Sequence, residues 1–306
     1  MQIDGFVFFL VAIVIGYLFT KIKLLPDAAA DVLPPVLMNV FFPAMLLNTF
    51  SHANVQDLLS AGLPVVISSI VFSTLPFLLV SLLMRKKDPQ KRALLRYISG
   101  VGNTSFVCIP LMSLFLSEEQ MLLVFIHGAV MDFLIWGVHH QIFVGSGEKQ
   151  LSLILKKIFA SPCLIAVLLG IVLAACGIEL PNYVNYTLDA LEAAVSPLAL
   201  VFIGTLIARY GMFSWVRSRT AILFSLWKVI ALPLIVFACL YFLLPLETTL
   251  ILAILFGSPA PISCVLWCKE YGRDAKPAVE CLIPSTILYF LLMGSVLAVL
   301  TQTGLL

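Results

Sequence analysis

Charge is what this chain has least of. Only 11% of its 306 residues are Asp, Glu, Lys or Arg, against 61% hydrophobic, and mean hydropathy is +1.10. That balance excludes a soluble domain of this length. Every connection between apolar runs is short, so the chain reads as one membrane-embedded unit. No basic residue or small-residue cleavage site precedes Gly5, so the N-terminus does not read as a removable signal peptide. The net charge of +2 does not point to nucleic acid, because topology already accounts for the basic residues. A His-Glu-x-x-His run is missing, and so is a second membrane-embedded aspartate, which removes zinc and aspartyl intramembrane hydrolases. Cysteines are few: Cys108, Cys163, Cys176, Cys239, Cys264, Cys268 and Cys281 all lie in or beside apolar spans. Cys264 and Cys268 stand one helical turn apart, but no His or carboxylate at matching spacing completes four metal ligands. No cysteine pair sits in an exterior loop, so disulfides are not expected, and no cofactor is implied.

What is abundant is long hydrophobic sequence. A membrane-spanning helix needs about 20 apolar residues, and ten runs qualify: 5–20, 32–50, 62–84, 93–116, 120–143, 158–177, 188–208, 220–243, 247–268 and 278–301. Of the 18 Lys and Arg residues, 17 fall in alternate gaps. Lys21 and Lys23 are in the first gap, and Arg85, Lys86, Lys87, Lys91, Arg92 and Arg96 in the third. Lys149, Lys156 and Lys157 occupy the fifth, Arg209, Arg217 and Arg219 the seventh, and Lys269, Arg273 and Lys276 the ninth. Cytoplasmic loops carry the Lys/Arg excess, which places the odd gaps inside and both termini on the extracytoplasmic side.

Two halves of five spans, residues 1–145 and 150–306, would enter the membrane from opposite sides, the inverted-repeat plan of many secondary transporters. Proline spacing agrees. Pro43 matches Pro197 at an offset of 154, Pro76 matches Pro233 at 157, and the Gly102 region matches Pro259 at 157.

Two corresponding spans carry residues that interrupt helices. The fourth reads Gly100-Val101-Gly102-Asn103-Thr104-Ser105-Phe106-Val107-Cys108-Ile109-Pro110, and the ninth Gly257-Ser258-Pro259-Ala260-Pro261-Ile262-Ser263. Proline removes a backbone donor and clashes with the carbonyl four residues earlier, and glycine weakens a helix by about 1 kcal/mol relative to alanine. A plain kink needs one proline; these segments add the polar side chains of Asn103, Thr104, Ser105, Ser258 and Ser263. Unwound backbone at membrane depth survives only where protein or a water-filled cavity satisfies it. Paired interruptions in two halves are the sequence sign of a transport site. Where two broken helices cross, half-helix N-termini present partial positive charge and free N–H groups, which suits a carboxylate. A cation site would want several inward carboxylates, which are scarce here.

Two charged residues lie well inside the apolar runs, Asp132 in the fifth and Lys228 in the eighth. Asp132 is a candidate for proton or ion coupling or for fixing the fourth span. Lys228 has a stem long enough to snorkel to the cytoplasmic headgroups, and a Lys228–Asp132 pair fits their similar depth. Glu280 opens the tenth span, where a helix N-terminus favours an acid, so a capping role is expected. His127 reads as a packing residue, and His139 and His140 as interfacial. Asn39 and Asn48 flank Phe42-Pro43-Ala44 in the second span; each either lines the site from the opposite domain or cross-links helices by hydrogen bonds. Glu118, Glu119, Glu179, Asp189 and Glu247 form an acidic, solvated exterior.

The run Gly102-Asn103-Thr104-x-Phe106-x-x-Ile109-Pro110-Leu111 resembles the G-N-T-x-F-x-G-I-P-L signature of the auxin efflux carrier family. Asn39 to Leu47 is similar to that family's second-span motif, and Pro259 followed by Lys269-Glu270-Tyr271-Gly272 to its ninth-span pattern. The resemblance covers essentially the full length. It implies an all-α polytopic membrane protein: ten transmembrane helices in a 5+5 inverted repeat, with broken helices 4 and 9 crossing. Helices 1, 2, 6 and 7 would form a scaffold, and helices 3–5 and 8–10 a moving transport domain. It also implies organic anion substrates, auxin in plant PIN carriers and malonate or malate in bacterial relatives, and a homodimer. Carried over by position, Asn103 and Pro259 meet the carboxylate. Cys108 stands where the family usually has glycine, and Gly102 replaces a proline of the plant carriers, so glycine flexibility is expected to make the fourth-span break. The long cytoplasmic loop of many plant carriers is absent, as in the compact bacterial type.

The expected function is therefore an elevator-type organic anion transporter in the cell inner membrane, working by alternating access. The substrate would bind at Gly102, Asn103, Thr104, Ser105, Pro110, Ser258, Pro259, Pro261, Ser263, Asn39 and Pro43. A sodium-coupled organic anion symporter of the bile-acid type is the alternative, for which Asp132 alone is thin provision.

Overall fold

A computed structural model describes residues 2–26, 28–53, 55–86, 88–135, 139, 162–211, 213 and 215–305, without the side chains of 2–6, 9, 55–61, 132, 266, 269 and 270. The described residues are helical, and apolar residues cover most faces of the helices, as expected where lipid or other helices surround them. In chain order these are α1 (Gln2–Lys21), α2 (Ala29–Ser51), α3 (Val55–Leu83) and α4 (Pro89–Gly100). Next come α5 (residues 104–112), α6 (Glu118–Leu134), α7 (Pro162–Cys176) and α8 (Asn182–Tyr210). The last four are α9 (Arg219–Leu240), α10 (Leu246–Phe256), α11 (Ser263–Glu270) and α12 (Lys276–Gln302). Five helical stretches are long and apolar enough to cross a membrane by length and composition: Ala29–Ser51, Gly62–Leu83, α8, α9 and α12. Shorter apolar helices accompany them, including Pro162–Cys176 and Leu246–Phe256.

The helices pack in two groups. In one, α1 lies along α8, α7 packs on the second half of α2, and α2 packs on α8. The α1–α8 contact is close because both helices are bare where they cross. A Cβ on Gly16 would overlap the Val201 carbonyl, and one on Gly204 the Ile13 carbonyl. Small residues let backbones approach in this way. Polar links join α2 and α8 at both ends. Arg209 Nη1 donates to Asp31 Oδ2 at 2.9 Å, while Asn48 Nδ2 donates to Asp189 Oδ1 at 2.9 Å and to Glu192 Oε2 at 2.7 Å. Asn48 is thus a helix cross-link.

In the other group α3 packs on α4 and α6, α9 on α12 and α10, and α10 on α6. The groups meet chiefly where α8 passes α5. There Phe106 lies edge-on to Phe42 of α2, with centroids 5.3 Å apart, and 5.5 Å from Phe202 of α8.

Among the described residues, three helices widen into a π turn that ends two residues before a proline: Leu37–Phe41 before Pro43, Thr104–Cys108 before Pro110, and Trp227–Ala231 before Pro233. Proline offers no N–H to the carbonyl four residues back and its ring clashes there. That carbonyl belongs in each case to the centre of the π turn, where the wider coil relieves the clash. In α2 the shift makes Phe42 N–H donate to Leu37 O. The Met38 and Pro35 carbonyls then accept from the Cys163 thiol at 3.4 Å and from Asn39 Nδ2 at 2.8 Å.

Candidate functional site

The fourth and ninth apolar runs are each two helices separated by non-helical backbone. α4 ends at Gly100, Val101 is extended (φ −114°, ψ 143°), and Asn103 (φ −86°, ψ 64°) starts α5. α10 ends at Phe256, and residues 258–261 are irregular before α11. The two interruptions cross. Asn103 N–H donates to Pro259 O at 2.9 Å. A Cβ on Gly102 would overlap Ser258 Oγ and come within 2.7 Å of Ser258 Cβ. Gly102 is not among the positive-φ glycines, so glycine is required here for room. The expectation that its flexibility makes the break is corrected: bulk at this position cannot coexist with Ser258.

Further bonds hold the crossing in place. Tyr97 of α4, 1% exposed, and Ser263 at the start of α11 share a 2.6 Å hydroxyl–hydroxyl hydrogen bond. Ser285 of α12 accepts from Ala260 N–H at 3.1 Å, and its own hydroxyl faces the Cys281 carbonyl at 2.6 Å. Cys108 is buried.

Hydrogen-bonding capacity is left over at this point. Asn103 and Thr104 are each 4% exposed, yet Asn103 Nδ2 and Thr104 Oγ1 have no hydrogen-bond partner among the described residues. Tyr289 Oη is likewise buried without one. As the first turn of a helix, α5 also has N–H groups with no intrahelical acceptor at Thr104, Ser105 and Phe106. Unmet buried polar groups of this kind cost about 1–3 kcal/mol each. Donors of this kind are complementary to an anion.

The crossing brings together Gly102, Asn103, Thr104, Ser258, Pro259 and, through Tyr97, Ser263. Ser105 is half-buried on the first turn of α5, while Pro110 and Pro261 are buried and shape the flanking coil. Asn39 is exposed and its amide turns back to Pro35 O; Pro43 sits beside Phe42 at the edge of the Phe106 contact. The side chain of Asp132, and with it the Lys228–Asp132 pair, lies outside the described residues, as does His140.

Three sequence expectations change. Lys228 does not snorkel: it is 1% exposed, in the π turn of α9. His139 is not interfacial but 3% exposed, beside Ser73 Oγ at 3.4 Å and against the Phe77 ring. Glu280 does not cap α12; Asp274 does, accepting Lys276 N–H at 2.9 Å. His127 packs as expected, bonded to Ser69 Oγ at 2.9 Å and edge-on to Phe256. The sequence reading missed Tyr97, Ser285 and Tyr289. Ser285 and Tyr289 were findable as two hydroxyls one turn apart in an otherwise apolar tenth run; Tyr97 carried no such signal.

The membrane transport protein family matches residues 3–296. The chain belongs to the auxin efflux carrier family. It is thus an integral membrane transporter. The sequence matches no curated protein.

Proposed function

We propose that this transporter carries small organic anions, carboxylates such as malonate, malate or auxin-like acids, by elevator-type alternating access. The observation that carries the reading is the crossing itself: Asn103 Nδ2 and Thr104 Oγ1, buried without partners, beside the free N–H groups of a half-helix. Such a site attracts a carboxylate through the helix end and hydrogen-bond donors. Gly102, Ser105, Ser258, Pro259, Pro261, Ser263 and Pro110 shape it, with Asn39 and Pro43 at its margin. The proposed architecture is ten spans in two inverted halves, residues 1–145 and 150–306. Helices 1, 2, 6 and 7 form the scaffold, and helices 3–5 and 8–10 form the transport domain, which slides past the Phe42–Phe106–Phe202 contact. Two packing groups meeting at α8 and α5 support that division. The transporter would lie in the cell membrane with both termini outside, as the Lys/Arg distribution asks, and would act as a homodimer.

The test is uptake of labelled malonate, malate and indole-3-acetate into proteoliposomes. Asn103→Ala keeps the backbone N–H that bonds Pro259 O, so the fold should persist while uptake of the transported acid falls more than tenfold. Pro259→Ala should also abolish it. Uptake at the wild-type rate in both variants removes the site assignment.

A further inference from the structure

The peptide unit between Pro259 and Ala260 is held from both sides. Its carbonyl accepts the Asn103 N–H at 2.9 Å, and its N–H donates to Ser285 Oγ at 3.1 Å. The unit is trans and planar, so its C=O and N–H point opposite ways. Asn103 and Ser285 therefore lie on opposite sides of one stiff plate. Proline rings fix φ at 259 and 261 and bias the residues before them, Ser258 and Ala260, toward extended backbone. What remains free is the tilt of the plate, set by ψ of Pro259 and φ of Ala260. The two hydrogen bonds choose that tilt.

The chemistry of Ser285 suits it to this task. Its hydroxyl hydrogen is spent within α12, where Oγ lies 2.6 Å from the Cys281 carbonyl and 3.0 Å from that of Leu282. A hydroxyl has one hydrogen and two lone pairs, so what Ser285 offers the crossing is an acceptor. Donation into the helix strengthens that acceptor, since hydrogen bonds in series polarise one another. Ser285 and Ala260 are both fully buried, out of reach of bulk solvent. An unbroken series thus runs from the α12 backbone through Ser285 and the 259–260 plate to the Asn103 N–H. Asn103 is also the residue whose Nδ2 is buried without a partner among the described residues. Thr286, the next residue of α12, provides a contrast. It is 5% exposed and its Oγ1 donates to the Leu282 carbonyl at 2.7 Å, with no hydrogen bond to the crossing among the described residues.

We propose that Ser285 is a positioning residue of the transport site. It sets the tilt of the Pro259–Ala260 peptide and, through that peptide, the place of Asn103 at the head of α5, without touching the substrate itself. The inference rests on the carboxylate reading of the crossing and adds to it the helix, α12, that aims the donors of the site. Without the Ser285 acceptor the plate tips to find another partner for the Ala260 N–H, and its carbonyl swings away from Asn103.

The experiment uses the purified full chain and two readouts. Hydrogen exchange over residues 101–108, measured without ligand, reports how firmly Asn103 is held. Saturation curves for uptake of labelled malonate, malate and indole-3-acetate into proteoliposomes report the site. The variants are Ser285→Ala and Ser285→Cys, the second keeping the volume but offering only a weak acceptor. Both should speed that exchange about tenfold, the scale of one lost buried hydrogen bond. Both should also raise the half-saturating concentration about tenfold while the maximal rate stays near wild type. Ser285→Thr, which keeps the acceptor, should restore both readouts. Thr286→Val should lower the melting temperature and move neither. Unchanged exchange, or an unchanged half-saturating concentration, in both Ser285→Ala and Ser285→Cys overturns the proposal. So does Thr286→Val matching them in half-saturating concentration, because general loss of stability would then be enough. If the wild type takes up none of the three acids, the carboxylate reading fails, and the exchange measurement still decides whether Ser285 holds Asn103.

Discussion

Adding one methyl group at Gly102 tests the crossing most directly. In Gly102→Ala the new Cβ would overlap Ser258 Oγ and lie 2.7 Å from Ser258 Cβ. A rotamer change can move the hydroxyl, but Cβ is fixed to the backbone. Relief to an ordinary carbon–carbon contact of about 3.5 Å requires the two interruptions to separate by most of an ångström. The Asn103 N–H to Pro259 O bond, 2.9 Å long, would then exceed hydrogen-bonding distance. Leaving that buried donor unmet costs about 1–3 kcal/mol, and overpacking typically adds about 1–3 kcal/mol. The variant should show a clearly lower melting temperature by intrinsic fluorescence in detergent and no uptake in proteoliposomes. Ser258→Gly removes both atoms that collide, so the double variant Gly102→Ala with Ser258→Gly should regain most of the stability. Two results would refute the reasoning: a single variant as stable and active as wild type, or a double variant no better than the single.

Three other perturbations have defined outcomes. Pro110→Ala restores an N–H and removes the ring that the π turn at Thr104–Cys108 accommodates; re-winding toward α-helix would rotate Asn103 and Thr104, so uptake should fall with little change in melting temperature. Tyr97→Phe and Ser263→Ala each remove one partner of the 2.6 Å bond; each should cost about 1 kcal/mol, and a double-mutant cycle should show coupling of at least about 0.5 kcal/mol. Ser285→Ala deprives the Ala260 N–H of its acceptor, so stability should drop by about 1–3 kcal/mol while Ser285→Thr retains most of it.

Several local features were legible in the sequence because their causes are local. The prolines at 259 and 261 mark the ninth-run interruption without reference to any partner, since proline acts on its own turn of helix; Gly102 marks the fourth-run interruption in the sequence, but what holds it to glycine is Ser258. Asn48, read as a helix cross-link or a site residue, has its partners among the acidic residues; Asp189 was noted, but Glu192 was not. The π turns were not foreseen, although the three share one spacing ahead of Pro43, Pro110 and Pro233. Pro76 and Pro197 lie within helices without such a turn, so the proline alone does not dictate it.

Hydropathy and the placing of lysine and arginine by themselves make this a membrane protein, because transfer of a segment into lipid is nearly a sum over its residues. Contacts between distant segments are not sums of that kind. Nothing in the order of residues told that the Gly102 backbone meets Ser258, that Asn103 reaches Pro259, or that Ser285 answers Ala260. Nor could it tell whether the middle of α9 faces lipid or protein. Only the packing of α9 among its neighbours decided that Lys228, expected to reach the headgroups, is 1% exposed within the protein.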